Sequence, residues 1–246
     1  MAAWCHAAPA EDSAHSCDLV GTLLQTRSTA HELLDAVQLD ERELRTNLRE
    51  MAMLNRLPGG IGDSVRAVKR LLHGTTGGTV LDLGTGSGDF VRRLLRERAV
   101  DVIAADLRPE VLAIASRNLA HTKDVTFVRA DARALPLADA SVDVAHASLL
   151  LHHLEPEEVV AALGEMRRIA RLGVVINDVR RGPLAFAMTA AAVLALSRGR
   201  YTRHDGVLSA RRAYTLDELD SLAATAGLRP AWRTWSRWPR VTTIYR

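Results

Sequence analysis

Apolar residues recur along this chain with two alternating periods. Between residues 19 and 57 the period is helical. Leu44, Leu48 and Met51 follow i, i+4, i+7, while Arg42, Arg45, Arg49 and Glu50 take other faces. Pro58-Gly59-Gly60 ends that run. A second amphipathic helix follows, with Val65, Val68, Leu71 and Leu72 on one side and Gly74 as its stop. From Thr79 onward short apolar runs alternate with helical periods. Thr79-Val80-Leu81, Val100 to Asp106, Val125 to Val128, Val142 to Ala147 and Val174 to Asp178 read as five strands. Helices are predicted from Val91, from Pro109 to about Leu119, and from Pro156 to Ile169, where Glu157 and Glu158 suit the dipole. Such alternation implies right-handed crossovers and a parallel sheet buried on both faces.

Past the fifth strand, residues 183–197 form an almost uniformly apolar helix. It is shorter than the roughly 20 residues that span a bilayer. A polar stretch follows, and then Thr215-Leu216-Asp217-Glu218 opens a helix that ends near Gly227. Arg229 to Trp235 and Val241 to Tyr245 flank a Trp238-Pro239-Arg240 turn and read as a closing antiparallel hairpin. The organisation expected is a fraying tail over 1–18 and a helical segment over 19–74. Residues 75–246 then form one α/β domain with a helical insertion at about 180–213. The helical segment either caps the site, with Asn55 and Arg56 facing the pocket, or packs on the sheet flank.

Composition narrows the class. The 246 residues carry a formal charge of +3, too modest to indicate nucleic acid. Arginine replaces lysine almost everywhere, the only lysines being Lys69 and Lys123. Cys5 and Cys17 both lie near the N-terminus, so neither a disulfide framework nor a metal site is expected. With no basic n-region or continuous apolar h-region, the N-terminus does not read as a signal peptide. A cytoplasmic protein without stable membrane insertion is expected.

The candidate chemistry gathers at the turn after the first strand. Gly84, Gly86 and Gly88 carry the chain from that strand into a helix. Glycine accepts positive φ and lets a ligand approach bare backbone. The helix start adds unpaired N–H groups and a positive dipole end. This is either a nucleotide-binding corner or a turn without a ligand. A dinucleotide fingerprint would place its third glycine at position 89, where Asp89 would repel a pyrophosphate. A P-loop would need Gly-Lys-Ser/Thr, which is absent. Asp82, closing the strand, suits a cationic ligand. Asp106 closes the second strand, where it can accept from both ribose hydroxyls or N-cap the next helix. Asp131 closes the third, where an Asp on its own can form a turn.

The Asp82-x-Gly84-x-Gly86-x-Gly88 run resembles the first motif of the class I S-adenosylmethionine (SAM)-dependent methyltransferases. The resemblance implies a Rossmann-like fold with a seven-stranded, mostly parallel sheet, a C-terminal antiparallel hairpin and an N-terminal helical cap. It implies SAM as cofactor and S-adenosylhomocysteine as product. Asp82, Gly84, Thr85, Gly86 and Gly88 would form the loop that holds SAM, and Asp106 would take the ribose. Leu107 and Arg108 would flank the adenine, and Asp131 with Ala132 would receive its exocyclic amine. Ala147 and its neighbours would meet the methionine part. Leu135 to Asp143 is similar to the P-F-x-D-x-S-F-D stretch of small-molecule and quinone-ring methyltransferases, with Leu137 and Val142 replacing the usual aromatics. Nucleic-acid amino-methyltransferases place Asn-Pro-Pro-aromatic after strand four. Here Ala147-Ser148-Leu149-Leu150 stands instead, which argues against base methylation.

Methyl transfer needs proximity, orientation and, where the acceptor is protonated, a base. His153 and then His152, just past strand four, are the base candidates. They otherwise contact ligands or merely cap and pack before Pro156. His146 faces the sheet interior or the cofactor. Asp178 and Arg180, ending strand five, position a polar acceptor or pair with each other. The helix 183–197, with Phe186, is either core or the wall of a greasy pocket. In the second case the neighbouring arginines would bind an anionic or phenolic end of the acceptor. His204, beside Asp205, is a second base candidate. The function expected is O-methylation of a small apolar, aromatic or polyketide-like metabolite. C-methylation of a quinone ring, or SAM binding without transfer, are the alternatives. The only partner expected is the small-molecule acceptor, with no nucleic acid, in a monomer or homodimer.

Overall fold

The computed structural model describes residues 24–35, 38–234 and 239–246. The expected tail, both cysteines and the hairpin residues Trp235 and Trp238 lie outside them. Seven strands form one sheet: β1 (Thr79–Leu83), β2 (Asp101–Asp106), β3 (Val125–Arg129), β4 (Val142–Ser148), β5 (Ala170–Val179), β6 (Pro230–Arg233) and β7 (Arg240–Tyr245). Their spatial order is β3-β2-β1-β4-β5-β7-β6. The first five run parallel, while β7 pairs antiparallel with both β5 and β6. The order reverses between β1 and β4, which opens a crevice above the carboxyl ends of those strands.

Alternation along the strands sorts the core into two layers. Leu81, Leu83, Ala145, Val174 and Ile176 face one way and pack with Leu163 and Met166 of α5 (Pro156–Ile169) and Leu219 and Ala223 of α8 (Leu216–Thr225). Val80, Val102, Val144 and Val175 face the other way. They meet Val65 and Val68 of α2 (Ile61–Leu71) and Phe90 and Leu94 of α3 (Asp89–Glu97). Thus α2, in the segment expected to cap, lies on the sheet. The element that stands over the crevice is α1 (Glu41–Leu54), whose Leu44 packs on Val111 and Ile114 of α4 (Pro109–Asn118). Asp40 starts α1 by accepting from the Glu43 N–H at 2.8 Å.

Two expectations need correction. The helical run from residue 19 is confined, among the described residues, to a 3₁₀ turn at Leu33–Asp35 and to α1. Upstream, the backbone is captured by side chains. Asp205 accepts from the Leu33 and Leu34 N–H groups, and the Arg212 guanidinium binds the Ala30 carbonyl. The stretch read only as polar, with no helical period of its own, is a helix, α7 (Arg200–Arg212), packed against α6 (Pro183–Leu196) and α1. Its buried face mixes Tyr201 and Leu208 with Thr202, Asp205 and Arg212, which hides the apolar period from view.

Candidate active site

A cavity of about 560 Å³ occupies the crevice where the strand order reverses. One end is acidic. Asp82, at the end of β1, is 2% exposed. Its carboxylate accepts from the Thr85 hydroxyl at 2.8 Å and lies 2.8 Å from His146 Nδ1. His146 sits opposite Asp82 on β4, fully buried and stacked on Phe90 at 3.7 Å. Asp106 accepts from the Gly86 and Arg108 N–H groups, at 3.3 and 3.1 Å. Burial nevertheless holds its pKa above the ordinary carboxylate value, because these donors and Arg108 compensate only partly. Asp131 is bound by the Arg133 guanidinium at 2.6 Å and is thereby held below that value.

Asp82, Gly84, Thr85, Gly86, Asp106, Leu107, Arg108, Asp131 and Ala132 therefore lie together on the cavity wall. Two of the expected loop and strand residues do not. Gly88 is the N-cap of α3 at φ 80°, and a side chain there would meet Leu119 at 2.7 Å. Its role is in the turn itself. Ala147 points into the core, so Ser148, Leu149 and Leu150 form that part of the wall.

The other end holds the histidines. They belong to a 3₁₀ turn, Leu151–His153, straight after β4. His152 Nδ1 lies 2.7 Å from Asp178, whose carboxylate also accepts from the Leu151 and His152 N–H groups. Burial would raise the Asp178 pKa, but His152, the Val179 N–H and Arg240 hold it below the ordinary value. Asp178 therefore pairs with His152 and not with Arg180, whose N–H bonds the Pro239 carbonyl. His153 Nδ1 lies 3.4 Å from the Glu32 carboxylate, which is 4% exposed and accepts from the Ser209 hydroxyl at 2.9 Å. The two imidazoles are tilted 35° with centroids 4.3 Å apart. Arg27 binds the His152 and Leu154 carbonyls, and Arg212 the His152 and His153 carbonyls, so the turn is clamped from outside. Glu32, His152 and His153 offer donor atoms within 4.8 Å of one another, so among the described residues they are also a group that could hold a metal. Each already has a protein partner, and the arrangement is that of two histidine–carboxylate pairs.

The apolar helix α6 forms a wall, presenting Met188, Thr189, Ala192 and Val193 to the cavity. Its other side is open, with Leu184 and Leu194 exposed. Phe186, Arg180, Arg56, Asp178 and His204 do not line the cavity, contrary to expectation, whereas Asn55 does. Arg56 is exposed beyond the end of α1. His204 is half exposed and paired with Asp205 at 2.7 Å. Glu32 and Arg240 are among the lining residues that escaped the sequence. Glu32 lies in a stretch read as plain helix, and Arg240 in a hairpin turn. Arg240 is 8% exposed and bonds Asn177 Oδ1 at 2.9 Å, Ser148 Oγ at 2.8 Å and Asn55 Oδ1. No local pattern marked either.

Residues 80–173 match a family model described as a methyltransferase domain. The chain is 34% identical over 142 residues to the malonyl-[acyl-carrier protein] O-methyltransferase of Pectobacterium atrosepticum, covering 58% of this chain and 51% of that protein. It is 39% identical over 97 residues to the demethylmenaquinone methyltransferase of Thermus thermophilus, covering 38% and 43%. The chain thus spans about half the length of the curated relatives it matches. In fold it is similar to a SAM-dependent methyltransferase from Aquifex aeolicus (TM-score 0.59, 20% identity, 85% of this chain and 98% of that one). It is also similar to the SAM complex of phosphoethanolamine N-methyltransferase 2 from Haemonchus contortus (TM-score 0.57, 21% identity, 79% and 43%).

Proposed function

Starting from a chain that carries a class I SAM-dependent methyltransferase domain, we propose that it methylates a hydroxyl of a small apolar, aromatic or polyketide-like acceptor. The observation that carries this reading is the His153–Glu32 pair, which opens on a cavity walled by Met188, Ala192 and Val193. A base thus faces apolar space, with the acidic cofactor end in the same cavity.

SAM fits the donor set at that end. The acids Asp82, Asp106 and Asp131 suit its cationic and hydroxyl-bearing parts, whereas a pyrophosphate would be repelled. Asp82 would hold the ammonium side, Asp106 the ribose hydroxyls and Asp131 the adenine amine, with Leu107 and Arg108 beside the ring. Gly84, Thr85 and Gly86 bring bare backbone close. When bound, SAM supplies an activated methyl group and leaves as S-adenosylhomocysteine. His153 accepts the acceptor's hydroxyl proton, and the Glu32 carboxylate orients its imidazole. His152, fixed by Asp178, packs against His153 and holds its ring in place. Asn55 contributes a polar contact at the rim. The rest of the catalysis is proximity in a largely apolar enclosure.

C-methylation is the second reading, because one relative is named a demethylmenaquinone methyltransferase. The same base would then ionise a ring hydroxyl and activate the neighbouring carbon. No helix among the described residues is long and apolar enough to cross a membrane. We place the protein in the cytoplasm as a monomer or homodimer.

The test is to incubate the purified chain with SAM and a panel of phenols and hydroxyquinones, and to identify products by mass and NMR. Methyl ethers support the first reading and ring methyls the second. His153→Ala should lower turnover by about 10²–10⁴-fold while SAM binds as before. Asp106→Ala should lose SAM binding. SAM binding with no transfer to any acceptor would leave a binding protein.

A further inference from the structure

We propose that Arg240 is an oxyanion anchor. Its guanidinium, on the cavity wall, binds a carboxylate or ionised hydroxyl of the methyl acceptor. This rests on the reading of the cavity as the acceptor site.

Position comes first. Arg240 opens β7 and pairs in register with Val179, which places it at the carboxyl end of β5. From there it reaches Ser148 at the end of β4 and Asn55 at the end of α1, and all three line the cavity. It thus stands on the β4–β5 side of the crevice, away from the Asp106 and Asp131 end.

Charge carries the argument. Every hydrogen-bond partner given above for Arg240 is a neutral amide or hydroxyl oxygen. No carboxylate lies within ion-pair distance of it among the described residues. Asp178 and Asp63 act on it only from farther away, and Asp178 is committed to His152. A buried cation without a paired anion is costly. Burial drags the Arg240 pKa down to about 10. The other cavity arginines are differently placed: Arg133 is held by Asp131 and Glu158, and Arg108 binds the Leu34 carbonyl. Three of the five guanidinium N–H donors are used by Asn177, Asn55 and Ser148, which fix the group's plane. The remaining two suit a planar, delocalised oxyanion. The acceptor class is therefore an aromatic hydroxy acid, or a polyketide ring with an acidic enol or phenol near the methylated group.

The methionine carboxylate of SAM has the same chemistry, and the test separates the two sources. Wild-type protein saturated with S-adenosylhomocysteine is titrated with 1-hydroxy-2-naphthoate and 2-hydroxybenzoate, and with the carboxamide of each. The expected result is carboxylate binding about tenfold or more tighter than the amide. Arg240→Gln should abolish that preference and leave SAM and S-adenosylhomocysteine affinities unchanged, while Arg240→Lys should keep part of it. Equal binding of acid and amide to the wild type overturns the proposal, and so does failure of both acids to bind. Loss of SAM affinity in Arg240→Gln with the acid preference intact also overturns it, by assigning the cation to the cofactor. The wild-type comparison decides even if the variants fold poorly. Absence of methyl transfer to any phenol would sink the proposed activity without altering these binding results.

Discussion

Asp178 and His152, 26 residues apart in sequence, are joined by a 2.7 Å hydrogen bond that ties the turn after β4 to the end of β5. The Leu149 N–H donates to the Asn177 carbonyl, and the Leu151 and His152 N–H groups donate to the Asp178 carboxylate. A turn that would otherwise be a mobile connection becomes an extension of the sheet. Both histidines are thereby held at the cavity rather than in solvent.

Removing Asp178 should therefore be severe. Asp178→Ala leaves the Leu151, His152 and Val179 N–H groups and the His152 ring without their buried acceptor. A loss of about 3–5 kcal/mol is expected in urea unfolding at neutral pH. The folded-state pKa of Asp178 is depressed. Its contribution is thus fully present above the unfolded value of about 3.9 and disappears as pH falls through the folded one. The gap between wild type and variant should accordingly narrow below about pH 4, and a gap that stays constant would contradict the assignment.

Glu32 should matter to turnover more than to cofactor binding. It touches His153 and Ser209, on the acceptor side of the cavity. Glu32→Gln keeps the size and one acceptor oxygen but removes the charge beside the imidazole. A drop in kcat of about tenfold or more is expected, with the SAM dissociation constant unaltered by calorimetry. Unchanged kcat would remove Glu32 from the machinery.

What was legible in the sequence is what is local. The strand-end acids Asp82, Asp106 and Asp131 sit in short motifs whose spacing follows from one strand, one turn and one helix. The five parallel strands announced themselves as apolar runs. The histidine pair was found through its place after β4. Glu32 and Arg240 were not found, because their meaning arises only when distant segments meet. Helix α6 shows a different limit. A helix apolar on every side has no phase, so nothing in its sequence could favour Met188 and Ala192 over Phe186 as the cavity face. In α7 the difficulty is reversed, since Asp205 and Arg212 are buried by binding backbone groups of other segments.

The glycine loop offers a paired comparison. Gly86 and Gly88 both have positive φ, at 55° and 80°. A Cβ on Gly86 would find its nearest neighbour, Leu48, at 3.9 Å, whereas one on Gly88 would collide with Leu119 at 2.7 Å. Gly86→Ala should cost about 1 kcal/mol of backbone strain and weaken SAM binding, because the residue lines the cavity. Gly88→Ala should cost more in stability, about 2–4 kcal/mol with the overpacking added. Thermal unfolding and SAM titration of the two variants would separate the roles, and equal destabilisation would refute the steric account.

Asp106 should make cofactor binding release protons. Its pKa in the cofactor-free fold is raised by burial, so it still holds a proton at pH values where the unfolded chain has lost it. As pH rises from 3.8 through the raised value, the cofactor-free protein loses the stability that this proton contributes. Ribose hydroxyls donating to the carboxylate would favour its charged form and pull the pKa back down. SAM binding should then expel protons at pH values above 3.8 where Asp106 is still protonated, and cease to do so once Asp106 is ionised beforehand. Calorimetry in two buffers of different ionisation enthalpy reads this directly. The apparent binding enthalpies should diverge where Asp106 holds its proton and converge as rising pH ionises it, and Asp106→Asn should remove the divergence while weakening binding. Enthalpies that agree at every pH would mean that the ribose is held elsewhere.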